Sequence, residues 1–244
     1  MSAYGLIGYP LSHSFSPAYF EKKFAALNRN DSYALFPLQD IQALPALIQA
    51  HPELVGLNVT IPYKEAVIPF LDAIDATAQA IGAVNGISIS HGKLFGFNTD
   101  WIGFSTSISP LLKENKAYKA LVLGTGGASK AVQFALSQIQ IPYQLVSRNT
   151  TAHALSYEAL SPSIIKEHTL IINTTPVGMY PNTTACPLPN TDALCEKHIV
   201  IDLIYNPSET SLLQKAAAQG AIIKNGYEML CIQADACWEK WQLA

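Results

Sequence analysis

Charge is scarce in this sequence. Lysine, arginine, aspartate and glutamate make up 14% of its 244 residues, and hydrophobic residues make up 49%. An ordinary soluble domain carries about 25% charged residues, so a disordered tail protein or a solvated coiled coil is excluded. The charges also nearly cancel, 15 basic against 18 acidic for a net of −3, which leaves no basic face for nucleic acid. Long apolar runs are missing as well. Stretches such as Ala120–Leu123 fall far short of the roughly 18–20 residues of a membrane span. The first residues lack a basic segment followed by an apolar one, so no secretory signal is expected. Cysteine is limited to Cys186, Cys195, Cys231 and Cys237, with no C-x-x-C pair and no zinc-type spacing to histidine. No metal site is expected, and the four are read as thiols in a reducing compartment, the cytoplasm. No repeat or low-complexity tract appears. What remains is a soluble globular protein, long enough for one large or two modest domains.

Short β-type runs alternate with segments of helical periodicity, the pattern of an α/β fold with mostly parallel sheets. Strands are expected at 4–7, 32–36, 54–59, 84–90 and 93–97, the last two forming a hairpin around His91-Gly92. Helices are expected near 17–27, 41–50 and 76–81. A second unit begins near Lys119, with strands at 120–123, 143–146, 170–173, 199–203 and 221–223 and helices at 128–138 and 211–219. One helix in the stretch 99–107 would carry the chain across, and a last helix over 227–241 would return to the first domain, burying Trp238 and Trp241 there. The expected architecture is therefore two α/β domains with a cleft between them. Residues 1–103 plus 226–244 form one, and 104–225 a Rossmann-like nucleotide-binding one.

Gly124-Thr125-Gly126-Gly127-Ala128 follows an apolar strand and opens a helix. Glycine there permits a tight turn and brings backbone N–H groups and the helix dipole up to a pyrophosphate. The third glycine of G-x-G-x-x-G is replaced by Ser129, so a purely structural β–α turn stays an alternative. The next strand runs into Ser147-Arg148-Asn149, where an NAD site would place a carboxylate for the ribose 2′-OH. Arg148 suits a 2′-phosphate instead, which favours NADP(H); the alternative is a solvated loop charge.

Three polar clusters fall at strand ends, where α/β ligands collect. They are Ser12-His13-Ser14-Phe15-Ser16-Pro17, Asn58-Val59-Thr60-Ile61-Pro62-Tyr63-Lys64 and Asn98-Thr99-Asp100. Buried serine, threonine and asparagine side chains suit a polyhydroxylated ligand, whose hydroxyls each need a partner. Lys64 and Asp100 are the members able to move a proton. Each has a plainer reading: Ser16 and Asp100 as helix caps, Lys64 as a surface lysine.

Together these segments resemble the shikimate dehydrogenase family over nearly the whole chain. Gly8-Tyr9-Pro10 with His13-Ser14-x-Ser16-Pro17 is similar to the family's substrate-binding start. Asn58-x-Thr60-x-Pro62-x-Lys64 matches its most characteristic motif. Gly82-Ala83-Val84-Asn85 and Gly96-x-Asn98-Thr99-Asp100-x-x-Gly103 match the next two, and the glycine loop, Asn173-Thr174-Thr175-Pro176-x-Gly178, Asp202-x-x-Tyr205-x-Pro207 and Asn225-Gly226-x-x-Met229 follow in order. The resemblance implies reversible reduction of 3-dehydroshikimate to shikimate by NADPH, a step toward chorismate and the aromatic amino acids. Lys64 and Asp100 would be catalytic, and Ser14, Ser16, Thr60, Asn85, Tyr205 and Gln233 would hold the substrate. Gly124, Gly126, Gly127, Ala128, Arg148, Thr174 and Gly226 would hold the cofactor, in a monomer or homodimer. The chain departs from the family at Phe20-Glu21, where His-Asn is usual, at Gly86, usually threonine, and at both neighbours of Arg148. It is also short for the family, so trimmed loops are expected in the second domain. Two rival activities are an NAD-dependent quinate/shikimate dehydrogenase, which would prefer a carboxylate where Arg148 stands, and a non-catalytic sensor of NADPH or shikimate. Tyr19-x-x-x-Lys23 has the spacing of a short-chain dehydrogenase pair, but that family places its glycine loop first. Here the order is reversed.

Overall fold

The computed structural model describes residues 2–11, 14–149 and 153–243, so Ser12 and His13 of the first polar cluster lie outside the described residues. The chain forms two compact units, residues 1–100 with 233–244 and residues 101–232.

The first unit contains β1 (Ala3–Gly8), α1 (Ser16–Ala26), β2 (Ser32–Pro37), α2 (Leu44–Ala50) and β3 (Leu54–Val59). The single turn α3 (Tyr63–Ala66), β4 (Ala73–Ile74), α4 (Ala76–Ile81), β5 (Gly86–Ser90) and β6 (Lys93–Phe97) follow. Its six strands make one sheet in the order β2-β1-β3-β5-β6-β4. The sheet is mixed: β1 runs parallel to β2 and β3, while β5 is antiparallel to β3 and β6. The two-residue connection at His91-Gly92 enforces the β5–β6 pairing, since so short a turn joins only antiparallel neighbours. Ile7, Leu57, Val59 and Ile87 pack on one face of the sheet. Tyr4, Leu6, Phe20, Phe24, Tyr33, Trp238 and Trp241 pack on the other. Phe20 stacks on Tyr33 at 4.6 Å between ring centroids, and the Trp241 indole donates to the Ile87 carbonyl at 2.9 Å. Each large apolar side chain buried this way contributes about 1.5–3 kcal/mol.

The second unit contains β7 (Ala120–Leu123), α6 (Gly127–Gln138), β8 (Tyr143–Val146), β9 (Ala154–Leu155), α7 (Pro162–Glu167), β10 (Leu170–Asn173), β11 (Ile199–Asp202), α8 (Ser211–Ala218) and β12 (Ile222–Lys224). All its strand pairs are parallel, in the order β12-β11-β10-β7-β8-β9. The order reverses beside β7, the doubly wound arrangement whose ligands bind at the carboxyl ends next to the reversal. Successive residues of β7 face two different cores. Ala120 and Val122 pack with Phe104, Leu170 and Ile201, whereas Leu121 and Leu123 pack with Ile165, Val200 and Leu212. A strand covered on both faces has to be a continuous apolar run, as this one is.

Helices α5 (Asp100–Ile108) and α9 (Tyr227–Gln242) each begin in one unit and end in the other. The units part at Asp100/Trp101 and Ile232/Gln233, three residues before and seven residues after the boundaries expected from sequence. Packing explains the displacement. Trp101 packs against the second unit's core and Met229 lies in it, whereas Ala234, Cys237, Trp238 and Trp241 lie in the first unit's.

Candidate active site

Lys64 sits on α3, just past the carboxyl end of β3. Its backbone is held from both sides: Tyr63 is buried with its hydroxyl donating to the Leu38 carbonyl at 2.7 Å, and the Val84 N–H donates to the Lys64 carbonyl at 2.7 Å. The ammonium donates to Asp100 Oδ2 at 2.7 Å, with the two side chains 16% and 6% exposed. A surface lysine is excluded by that burial.

Asp100 opens α5, where a carboxylate is favoured by the helix dipole. It does not cap the helix. Asn98 Oδ1 takes that role by accepting the Asp100 N–H at 3.0 Å, which leaves both Asp100 oxygens to side chains. Oδ1 accepts from Asn85 Nδ2 at 2.9 Å. Asn85 lies where β5 enters the sheet, fixed by bonds to Val59 and Phe97. Its Nδ2 is also within 2.9 Å of Thr99 Oγ1 and 3.1 Å of Gln233 Oε1, and its Oδ1 accepts the Thr99 N–H at 2.7 Å. Lys64, Asp100, Asn85 and Gln233 are thus one hydrogen-bonded constellation, drawn from α3, the entry to β5, α5 and α9.

A second buried chain of polar groups supports it. Tyr33 hydrogen-bonds to the Ser16 side chain, and burial raises its phenol well above the usual value. Its hydroxyl donates to Asn58 Oδ1 at 2.8 Å. Asn58 Nδ2 donates to Cys237 Sγ at 3.0 Å, and that sulfur lies 3.4 Å from Thr99 Oγ1. Burial pushes the Cys237 thiol up to about 12, so it stays neutral. Tyr33 and Cys237 were not anticipated. Cys237 had a legible signal, standing four residues after Gln233 and so on the same helical face.

Ser14 and Ser16 adjoin each other at the start of α1, where the Ser16 N–H donates to Ser14 Oγ at 3.4 Å. Ser16 is the helix's first residue, and α1 has no side-chain cap. Thr60 packs its methyl against Gly8 at the ends of β3 and β1. Tyr205 lies in the second unit, half-buried in the loop after β11. Tyr19 and Lys23 have a structural explanation: both donate to Asp235 Oδ1, at 2.6 and 2.5 Å, and tie α1 to α9.

The glycine loop joins β7 to α6. Gly124 has φ +106°, and a Cβ there would meet Thr174 Oγ1 at 2.7 Å, so both conformation and space require glycine. Gly126 is different. Its φ of −80° suits any residue, and a Cβ would point into open space. The protein's own contacts give no reason for glycine at 126. Gly127 and Ala128, half-buried, are the first two residues of α6, whose N-terminus has no side-chain cap. An uncapped 12-residue helix start beneath open space can donate backbone N–H bonds to an anion. Arg148 is exposed two residues past β8, in a turn where Ser147 Oγ accepts the Asn149 N–H at 3.2 Å. Thr174 Oγ1 donates to the Leu123 carbonyl at 2.7 Å, joining the β10 loop to the end of β7. Gly226 is buried with the Leu203 carbonyl where a Cβ would go, so close backbone packing requires it.

Fold and site define a two-unit α/β protein with a doubly wound nucleotide-type unit and a lysine–carboxylate centre among polar side chains. Residues 6–87 match the model of the shikimate dehydrogenase substrate binding domain. A shikimate dehydrogenase (NADP(+)) of Methanosphaera stadtmanae is 37% identical over 254 residues, covering 96% of this chain and 89% of that protein. The shikimate 5-dehydrogenase of Thermus thermophilus, solved with NADP(H) and shikimate, superposes with a TM-score of 0.88 at 32% identity. That match covers 100% of this chain and 94% of the solved one. Quinate dehydrogenase from Corynebacterium glutamicum, solved with NAD, gives 0.87 at 28% identity, covering 100% and 94%. The chain belongs to the shikimate dehydrogenase family.

Proposed function

We propose that this protein catalyses the reversible, NADPH-dependent reduction of 3-dehydroshikimate to shikimate. The observation that carries the reading is the Lys64–Asp100 pair, held with Asn85 and Gln233 in one polar constellation. The relative named shikimate dehydrogenase (NADP(+)) and the shikimate 5-dehydrogenase solved with NADP(H) and shikimate support it. The glycine loop fits a dinucleotide on its own geometry, through the uncapped helix start and the open space at Gly126.

When bound, NADP(H) supplies hydride for the reduction and takes it in the reverse direction. Lys64 donates a hydrogen bond to the substrate's reacting oxygen, stabilises the negative charge that grows there and passes it a proton. General acid–base catalysis of this kind is worth about 10²–10⁴-fold. Asp100 orients the ammonium through its 2.7 Å bond. Ser14, Ser16, Thr60, Asn85, Gln233 and Tyr205 hold the substrate's carboxylate and remaining hydroxyls. Gly124, Gly126, Gly127 and Ala128 would cradle the pyrophosphate, Arg148 would take the 2′-phosphate, Thr174 would line the nicotinamide side, and Gly226 would complete the cofactor site. The setting is the cytoplasm, where all four cysteines stay thiols, and the protein works as a monomer or homodimer.

The likeness to quinate dehydrogenase gives one rival, an NAD-dependent enzyme acting on quinate or shikimate. Arg148 speaks against it, because a guanidinium only donates and cannot accept the hydrogen bond that a carboxylate takes from the ribose 2′-hydroxyl of NAD. Absorbance at 340 nm with shikimate and either NADP⁺ or NAD⁺ separates the two. Faster reduction of NADP⁺ is expected. Preference for NAD⁺, or for quinate over shikimate, would install the rival, and no turnover by folded protein that binds shikimate would make it a sensor.

A further inference from the structure

A carboxylate that the proposed chemistry does not use lies at the centre of the second unit. Asp202 ends β11, fully buried, directly across the parallel ladder from Asn173 at the end of β10. Among the described residues no lysine or arginine is ion-paired with it. Neutral donors converge on it instead. Asn173 Nδ2 and the Ile204 N–H donate to Oδ1 at 2.9 and 3.0 Å, and Thr210 Oγ1 donates to Oδ2 at 2.6 Å.

Each donor leads into a different loop. With its Nδ2 held by Asp202, Asn173 turns Oδ1 to the loop after β10, accepting the Thr175 N–H at 3.0 Å and its hydroxyl at 2.7 Å. Thr175 Oγ1 in turn accepts the Val177 N–H at 3.2 Å. Ile204 belongs to the loop after β11, and its carbonyl accepts the Gly226 N–H at 3.0 Å at the start of α9. Thr210 is the N-cap of α8 and lies beneath Gly178, the far end of the β10 loop. One side chain therefore links three segments at the carboxyl edge of a doubly wound sheet, the edge where its ligands bind.

We propose that Asp202 is a positioning residue for cofactor binding: through Asn173 and Thr175 it sets the shape of the loop 174–178 and thereby the affinity for NADP(H). The inference rests on the functional reading above, which puts the nicotinamide beside that loop. Asp202 touches no ligand itself. Its action ends at backbone groups, so a substitution that keeps an acceptor at Oδ1 should largely preserve binding, and one that removes it should not.

The experiment measures NADPH and shikimate dissociation constants separately for the whole protein and three variants. For Asp202→Ala, the NADPH constant is expected to rise tenfold or more, with that for shikimate within twofold of the parent. Asp202→Asn, which retains an acceptor for Asn173 and Ile204, should stay within about threefold for NADPH. Thr175→Val, at the far end of the relay and outside the core, should weaken NADPH severalfold without altering the melting temperature. A folded Asp202→Ala protein with parental NADPH affinity overturns the proposal, as does loss of both ligands in parallel. If Asp202→Ala does not fold, Thr175→Val decides, and unchanged NADPH affinity there overturns it. Parental protein that neither binds NADPH nor turns over shikimate refutes the functional reading and this inference with it. Active parental protein with indifferent variants refutes the inference alone.

Discussion

Burying Asp202 among neutral donors should leave a pH signature in stability. Desolvation raises its carboxyl from an ordinary 3.8 to about 6, against the opposing bonds from Thr210, Ile204 and Asn173. Below both values the group is protonated in the folded and unfolded chain alike, so it makes no difference to stability. Between them the unfolded chain ionises while the folded protein keeps its proton, and stability falls as pH rises. Above about 6 both forms are ionised, and the folded protein carries a constant penalty of about 3 kcal/mol, at ~1.36 kcal/mol per pH unit. About 2 kcal/mol of this develops between pH 4.5 and 7.5. Cys186 lies near Asp202 and Lys215, and burial raises its thiol, so it does not titrate in that range. Asp202→Asn imitates the protonated carboxyl at every pH. Urea denaturation of parent and variant at pH 4.5, 6.0 and 7.5 should show the variant gaining about 2 kcal/mol relative to the parent across the series, in the transition of the second unit. A difference that stays constant with pH would mean that Asp202 ionises inside the fold at its ordinary value, and the reasoning would be wrong.

Lys64→Ala should lower kcat by about 10²–10⁴-fold with little change in the KM for shikimate, since the ammonium acts on charge that develops in the transition state. Steady-state rates decide it; near-normal kcat with a large rise in KM would make Lys64 a binding residue. The same variant strands a buried Asp100 carboxylate, so urea denaturation should show a loss of about 3–5 kcal/mol at neutral pH. Arg148→Ala should raise the KM for NADPH and leave NADH use nearly unchanged, and equal losses with both cofactors would remove the 2′-phosphate assignment. Gly124→Ala places a Cβ at φ +106° against Thr174. It should destabilise the second unit by about 1–3 kcal/mol in a thermal melt and abolish NADPH binding, whereas Gly126→Ala should keep stability and lose affinity.

Much of the fold is written locally. The run Ala120–Leu123 reads as a strand buried on both faces because four successive apolar residues have no polar side to offer solvent. The two-residue turn at His91-Gly92 dictates an antiparallel pair, and Gly124 announces a backbone conformation that other residues resist. Lys64 and Asp100 could be singled out because few residues at strand ends can move a proton, and Arg148 because no carboxylate stands in its place.

Other features are not local, and the sequence carried them only as unplaced residues. Whether Asp100 caps its helix or pairs with Lys64, 36 positions earlier, depends on Asn98 taking the cap and on a turn at 63–66 that lifts the lysine. Cys237, Thr99, Asn58 and Tyr33 become one buried relay only when α9 packs against the sheet that holds Tyr33 and Asn58 and the connection after β6 that holds Thr99. The unit boundaries shift into α5 and α9 because a helix can bury one end in each core, and no composition change marks that point. Asp202 shows the division most plainly. By sequence alone it is one aspartate ending an apolar strand. Its raised carboxyl and its hold on three loops arise from burial and from donors 29, 2 and 8 residues away, a juxtaposition that only tertiary folding produces. The sequence by itself determined the strands, turns and chemically able side chains, because those follow from each residue's own geometry and its nearest neighbours. Which of them meet, and in what dielectric surroundings, was decided by packing between segments far apart in the chain.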